Sequence, residues 1–405
     1  MTELVRDMHP VDRHYPLDDP RIADDYTAFA RELREACPRG WSDGRWSPSR
    51  AGFWYLTTFA DTTAAASDWQ LFSNAEGTTP VEMAEGAPKL LPLDCDPPLH
   101  GRIRHTLNPF FTPAAARQAE PRIARVCGEI IDELVEASTT GAVEFMSAFA
   151  VRLPGRVFFE IFLDEDPAET LWMLPLIGAI LNDPASAQQH APRLFEWVGG
   201  RLQERQRAGR SQDVLGVIAH AGNEPGFQLT EMERVQIAFL MMLAGMETTA
   251  SALGCITHRL ALDPTLLERL RGMDGAELER AVDEFLRFDP PVPATARTVT
   301  RDQNFAGCPM ITGERVILNW AAANHDPEHY PEPDRLDLDR DAGDHLSFGH
   351  GRHRCLGAHL AGRQLKVALE QLRTLRRLEM APGAVVHYQL GSARKPMSLP
   401  LIVER

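Results

Sequence analysis

Cys355 closes a run of glycine and basic residues, Phe348-Gly349-His350-Gly351-Arg352-His353-Arg354-Cys355-Leu356-Gly357. An apolar-periodic stretch from Leu356 to Leu372 follows, so the thiol stands at the start of a helix. A helix N-terminus carries about half a positive charge, and Arg352, His353 and Arg354 add to it. That field favours the thiolate, the form that attacks electrophiles or binds a metal. Gly349 and Gly351 permit backbone turns closed to other residues, Gly357 lets a flat ligand lie close to the helix, and Phe348 can shield the sulfur. A lone cysteine at a helix start is more often a small core residue. The whole pattern instead suits a buried thiolate with one open face, as an axial haem ligand requires.

A second set of reactive groups lies inside the long apolar run Ile237 to Ile256, as Ala244-Gly245-Met246-Glu247-Thr248-Thr249. Glycine is about 1 kcal/mol worse than alanine within a helix. A threonine hydroxyl can bond back to the preceding turn and bend the axis. Gly245 and Thr248 therefore predict a local groove, and an acid beside a hydroxyl can relay protons. The same residues also read as a buried polar network without chemistry. The run is long enough to span a bilayer, but Glu247 at its centre is costly in lipid, so a buried core helix is expected.

Three further patterns carry charge. Glu284-x-x-Arg287 puts opposite charges one helical turn apart, and alone it is a routine pair. Arg297 follows ten residues later. Asp96-Pro97-Pro98 precedes His100 and Arg104, which lie one turn apart.

Together these stretches resemble the cytochrome P450 family, in particular its soluble bacterial haem-thiolate monooxygenases. The match runs from Asp96 to the C-terminus. It implies the P450 fold, α+β and mainly helical with a smaller β region, as a single domain over residues 1–405. It implies Cys355 as the metal ligand of haem b (iron protoporphyrin IX). Phe348, Gly349, Gly357 and Ala244 would lie against the cofactor, and His100, Arg104, Arg297 and His353 would bind its propionates. Glu247 and Thr248 would be the catalytic acid and alcohol that deliver protons. Glu284 and Arg287, with Arg340 (or Arg335) as third member, would be structural supports of the cysteine loop. Leu240, Ala244, Val292, Ala294 and Thr295 would line the substrate pocket, with the loop Thr79 to Leu93 and the turn Lys395 to Met397. The implied reaction inserts one oxygen atom from O2 into a small, mostly apolar organic substrate, a terpenoid or aromatic, by hydroxylation or O-dealkylation. Electrons would come from a separate ferredoxin (or flavodoxin) and an NAD(P)H-dependent reductase. Two other readings stay open: a peroxide-driven peroxygenase on the same fold, and a non-catalytic haem-binding sensor.

The elements that must position these residues follow from periodicity. Helices are predicted at Ile22–Ala36, Ala60–Asp68, Ala114–Ala137 (with Pro121 in or near its first turn), Leu171–Leu181, Pro192–Arg207, Gln228–Leu262, Gly275–Phe288 and Leu356–Leu375. Pro154 and Pro184 are expected to break the helical pattern. Strands are predicted at Gly52–Thr58, within Thr298–Asn319 and within Ala384–Val403, and Asp326–Asp344 reads as an irregular meander. At 405 residues the chain can bury a large core and a cofactor. The net charge of −15 argues against a nucleic-acid binder. The six cysteines lie far apart with no CxxC, which signals neither zinc ribbon nor dithiol site. Met1 to Pro20 shows no apolar signal region or membrane anchor, so a soluble cytoplasmic protein is expected. Against the acidic balance, His345–Leu369 and His100–Ala119 contain no acid, and Arg102, Arg117, Arg352, Arg354, Arg363 and Lys366 predict a basic patch for an acidic electron donor.

Overall fold

The computed structural model describes residues 11–12, 14–15, 20–46, 50–80, 89–182, 184–209, 212–390 and 393–405. In chain order the principal helices are α1 (Tyr26–Ala36), α2 (Phe59–Ser67), α3 (Leu99–Leu107), α4 (Pro113–Ser138), α5 (Thr170–Asn182), α6 (Pro184–Ala208), α7 (Glu231–Leu262), α8 (Gly275–Phe288) and α9 (Ala358–Leu372). The strands used below are β1 (Arg39–Arg45), β2 (Ala51–Leu56), β3 (Phe72–Ser73), β4 (Val143–Glu144), β5 (Thr295–Val299), β6 (Arg315–Leu318), β7 (Arg377–Met380), β8 (Tyr388–Leu390), β9 (Arg394–Pro396) and β10 (Pro400–Glu404). The chain folds into two compact units, each assembled from segments distant in sequence.

The first unit takes Met1–Gly101, Glu284–Asp337 and Ala342–Cys355. Its centre is a five-stranded sheet of order β1-β2-β6-β5-β3. β6 runs parallel to β2 with Val316 opposite Trp54, and antiparallel to β5 with Val316 opposite Arg297. Side chains alternate across a strand. One face of the sheet accordingly builds a cluster with Trp41, Trp54, Val299, Val316 and Leu318. The other face packs Phe53, Tyr55, Ala296 and Ile317 around Tyr15 and Leu33.

This unit also holds the meander, through charge. Arg287 and Glu284 have fully buried side chains. Arg287 Nε and Nη2 donate to the two Glu284 oxygens at 2.6 and 2.9 Å. Its Nη1 donates to Asn324 O at 2.8 Å and Pro333 O at 2.9 Å, and Nη2 also to Arg335 O at 3.3 Å. Glu284 Oε1 accepts from the Asp337 amide at 2.9 Å. Removing either partner of such a buried pair costs about 3–5 kcal/mol, because the other charge stays behind unpaired. The support expected from a third arginine side chain thus includes backbone groups of the meander. Arg335 contributes its carbonyl, while its side chain pairs with Glu332 and Asp337. Arg340 lies in the segment Leu338–Asp341, which belongs to the second unit.

The second unit takes Arg102–Asp283, Leu338–Asp341 and Leu356–Arg405. It is mainly helical, with α9 packed along α4 and α7 packed against α6. A three-stranded sheet of order β7-β10-β4 and the hairpin β8–β9 complete it. α7 begins at a capping box: Thr230 Oγ1 accepts from the Glu233 amide at 3.1 Å, and Glu233 Oε2 accepts from the Thr230 amide at 2.7 Å. α7 is long and apolar enough to cross a bilayer, yet most of its apolar stretch is buried inside the fold.

The prolines depart from expectation in informative ways. Thr112 caps α4 and Pro113 takes its first position, while Pro121 lies in the interior, not the first turn. Pro154 does not break the chain's helical path. It sits in the first turn of the helix Arg152–Val157, where its missing N–H costs least. α6 starts at Pro184, so Pro192 is internal.

One carboxylate of the meander reports on acid stability. Asp334 Oδ1 lies 3.2 Å from His325 Nδ1, and Oδ2 accepts from Arg31 Nη1 at 3.0 Å. The His325 contact, aided by Arg31, holds its pKa down at about 2, below the ordinary value near 3.9. A depressed carboxyl stabilises the fold above its unfolded pKa and loses that contribution as pH falls through the folded one. Asp334→Asn should therefore flatten the fall in urea-unfolding stability between about pH 4 and pH 2, with its deficit against wild type shrinking toward the acid end.

Candidate functional site

The cysteine loop is shaped by two glycines with left-handed backbone, Gly349 at φ 68° and Gly351 at φ 70°. Short 3-10 turns at Leu346–Phe348 and Gly351–His353 fold the loop back on itself. The Cys355 amide then donates to Phe348 O at 2.7 Å. A Cβ on Gly351 would lie 2.5 Å from Ala66 O, at the end of α2, so the loop is pressed against that helix. The helix after the cysteine starts at Ala358, with Gly357 as its N-cap.

The six cysteines divide sharply. Cys95, Cys127, Cys255 and Cys308 are buried and Cys37 is half-buried, whereas Cys355 is exposed. Burial pushes the Cys95 and Cys127 thiols up to about 12 and that of Cys308 to about 11. Those three are inert core residues. Phe348 is half-buried next to the loop, with the Arg354 guanidinium 5.9 Å from its ring, and it does not by itself bury Cys355.

The first unit gathers three of the four residues expected to bind carboxylates. Arg297, in β5, is buried. Its Nη1 donates to Ala296 O at 2.8 Å and Thr295 Oγ1 at 3.2 Å. Among the described residues no carboxylate lies within ion-pair distance of it. Burial, with Arg315 nearby, pulls its pKa down to about 10. A buried cation without an anion is expensive, so the site is built for an anionic group. The rings of His100 and His353 lie 4.1 Å apart, and His353 Nε2 is 3.9 Å from Asp96 Oδ1. Asp96 is itself fixed by Ser73 Oγ and the Asn74 amide, at 2.5 and 3.1 Å. Arg104 follows His100 by one turn of α3, half-buried, and is counted with the second unit. An exposed thiol on a glycine loop, a buried arginine lacking an anion and a paired set of imidazoles fit haem with its two carboxylates.

In the second unit, every residue of α7 from Ile237 to Thr257 is buried except Ala244, Gly245 and Thr248. The helix is therefore open at one notch. Thr248 Oγ1 back-bonds to Ala244 O at 3.0 Å, as its position in the motif predicted. Glu247, next to the notch, is buried and ion-paired with Lys395 of β9. The sequence contains no local sign of this pair, because its members are 148 residues apart.

The expected substrate-lining residues are placed unevenly. Leu240 is buried, Ala244 exposed and Val292 half-buried. Ala294 packs into the cluster with Tyr15, Phe53 and Tyr55. Thr295 Oγ1 accepts from Arg297 and from Trp320 Nε1 at 3.1 Å. Glu82 and Glu85 lie outside the described residues, and Lys89 Nζ donates to Ala75 O at 3.0 Å on the surface. A residue that sequence reasoning missed is Arg315, buried in β6. It donates to Gly77 O and Thr79 O at 2.9 and 2.8 Å and so fixes the start of the 79–93 loop.

The basic patch is smaller than expected. Arg363 Nη1 meets Glu120 and Glu279 at 3.0 and 3.1 Å, and Lys366 Nζ meets Glu120 and Glu370 at 3.2 and 3.1 Å. The neutralising acids come mostly from α4 and α8, outside the acid-free window. Arg102, Arg117, Arg352 and Arg354 remain exposed.

Comparison with known proteins agrees with this geometry. Residues 277–389 match the family model described as cytochrome P450. The chain is 33% identical over 325 residues to a vitamin D(3) 25-hydroxylase of Pseudonocardia autotrophica, covering 79% of each protein. It is 30% identical over 341 residues to the cytochrome P450 monooxygenase PikC of Streptomyces venezuelae, covering 82% of this chain and 80% of that one. The crystal structure of CYP108D1 from Novosphingobium aromaticivorans superposes with a TM-score of 0.84 at 26% identity, over 96% of this chain and 97% of that one.

Gly351→Ala tests the loop directly. The added methyl meets the Ala66 carbonyl at a positive φ, so urea unfolding should show a loss of about 1–3 kcal/mol.

Proposed function

The chain belongs to the cytochrome P450 family and is a haem-dependent monooxygenase, and on that premise we propose which residues serve the reaction and what it acts on. When bound, haem supplies the chemistry that splits O2 and places one oxygen atom in the substrate. In this reading Cys355 would hold the haem iron through its thiolate. Its glycine turns and the Cys355–Phe348 backbone bond hold the sulfur in place. Arg297, His100, Arg104 and His353 bind the two cofactor carboxylates, and Arg297 gains the anion its burial requires.

Glu247 and Thr248 move protons, the acid by exchange with water and the hydroxyl by orienting it. The observation that carries this reading is the notch in α7, where the buried stretch Ile237 to Thr257 opens only at Ala244, Gly245 and Thr248. A peroxide-driven enzyme has no need of that acid–alcohol pair, so the notch favours the O2-dependent reaction. A haem sensor without turnover has no need of it either.

The substrate in this reading is a mostly apolar organic molecule such as a terpenoid or aromatic. Leu240, Ala244 and Val292 offer it small or apolar contacts. Hydroxylation is the favoured outcome, in keeping with relatives named as hydroxylases. Electrons come from a separate ferredoxin or flavodoxin with its NAD(P)H-dependent reductase, and the exposed Arg102, Arg117, Arg352 and Arg354 offer cations to an acidic donor.

Two substitutions test the assignment. Cys355→Ala should abolish the red-shifted carbon-monoxide difference band of the reduced protein, and retention of that band would remove Cys355 from the ligand role. Thr248→Ala should keep the band while product formed per NAD(P)H falls by about tenfold, the reducing equivalents appearing as peroxide or water. Unchanged coupling, or full turnover with peroxide and no donor proteins, would overturn the proton-relay reading.

A further inference from the structure

α7 presents a second face beside its notch. Glu247, Ser251, Gly254, Cys255 and His258 recur at helical spacing and all meet the hairpin β8–β9 or its flank. Ser251 Oγ donates to Arg394 O, and Cys255 Sγ donates to the same oxygen at 3.8 Å. His258 Nδ1 lies 2.6 Å from the Tyr388 hydroxyl. A Cβ on Gly254 would stand 3.1 Å from Pro396 Cδ and 2.5 Å from Met146 Sδ, so helix and hairpin are in close van der Waals contact there. These contacts form a neutral dock. At its N-terminal end, next to Thr248, stands an ion pair, Glu247 Oε1 with Lys395 Nζ.

The pair is almost buried. Two charges withdrawn from water return little net stability, and apolar residues of similar volume often do as well. The hairpin already has its hydroxyl, imidazole and close-packing contacts with α7. Docking therefore does not account for a lysine at this point. What the pair does account for is the orientation of the acid. Lys395 occupies Oε1, while among the described residues Oε2 accepts no hydrogen bond. Glu247 stays fixed by one oxygen and presents the other.

We propose that Lys395 is the positioning residue of Glu247, holding one carboxylate oxygen so that the other serves water at the notch beside Thr248. The proposal rests on the reading of Glu247 as the proton-delivering acid. It makes the β8–β9 hairpin part of the proton path. A substitution at Lys395 then acts on coupling through Glu247.

The test compares holoenzymes carrying Lys395→Met, Lys395→Arg, Glu247→Gln and the double substitution Glu247→Gln/Lys395→Met. Lys395→Met should lower kcat and product per NAD(P)H by about tenfold, with KM within about twofold of wild type. Lys395→Arg should restore most of the loss. In the Glu247→Gln background, Lys395→Met should have no further effect, since the two residues act as one unit. Amide exchange at residues 388–390 and 393–395 should stay protected in Lys395→Met, showing that the hairpin strands remain docked. Equal losses in both backgrounds, or loss of that protection, would make Lys395 a structural residue and overturn the proposal. Glu247→Gln with full coupling would instead remove the underlying role of the acid, and that single variant reads it out alone.

Discussion

The buried pair Glu284–Arg287 sets the terms for the cysteine loop. A guanidinium out of water must satisfy every donor, and Arg287 does so with its own helix neighbour and three backbone carbonyls, of Asn324 and of Pro333 and Arg335 in the meander. The Asn324 side chain in turn accepts from the Leu346 amide at 2.7 Å and donates to Ser347 Oγ at 2.9 Å, and Ser347 Oγ donates to Leu286 O at 2.6 Å. The path from α8 to the residues before Phe348 is therefore continuous hydrogen bonding, and Cys355 is held at its far end. An ion pair that adds little net stability still fixes geometry, because no member can move without leaving a buried charge unpaired.

Charge placement follows the same logic elsewhere in the first unit. The chain carries a net −15, yet Arg297 and Arg315 are both buried in neighbouring strands. Arg315 spends its donors on the carbonyls that open the 79–93 loop, whereas Arg297 is left with one neutral hydroxyl and its neighbour's carbonyl. Desolvation and mutual repulsion bring Arg297 down to about 10. In the proposed reading, cofactor carboxylates answer that strain, so the anion stabilises the protein as the protein orients the anion.

The long helix α7 shows how one element serves two purposes. Its interior burial makes it a core member, and the glycine and threonine that weaken it as a helix open the notch. A quarter-turn away, the same helix receives the hairpin through Ser251, Gly254, Cys255 and His258. Glu247 lies where the two faces meet, and this is why its carboxylate can be held from one side and used from the other.

Much of the molecule was legible in the amino-acid order, and the reason is that those features are local. The turns at Gly349 and Gly351, the back-bond of Thr248, the Glu284-x-x-Arg287 spacing and the apolar period of α7 all operate within a few residues, and the family resemblance rests on such spacings. What depended on partners far along the chain was not legible. β1, with Gly40 and Gly44 among polar residues, has no alternation to mark it as a strand. It exists through pairing with β2, with Trp41 opposite Trp54. The acids that neutralise Arg363 and Lys366 come largely from α4 and α8, so an acid-free window in sequence did not become a basic surface of the same extent. Pro121 and Pro192 lie inside helices that local rules would interrupt, because tertiary burial outweighs one missing hydrogen bond. The sequence by itself determined which groups are available for chemistry: a thiol, an acid, an alcohol and cations for an anionic cofactor. Only the tertiary structure decided which charge meets which, above all Glu247 with Lys395, because burial energies depend on neighbours that the order of residues does not name.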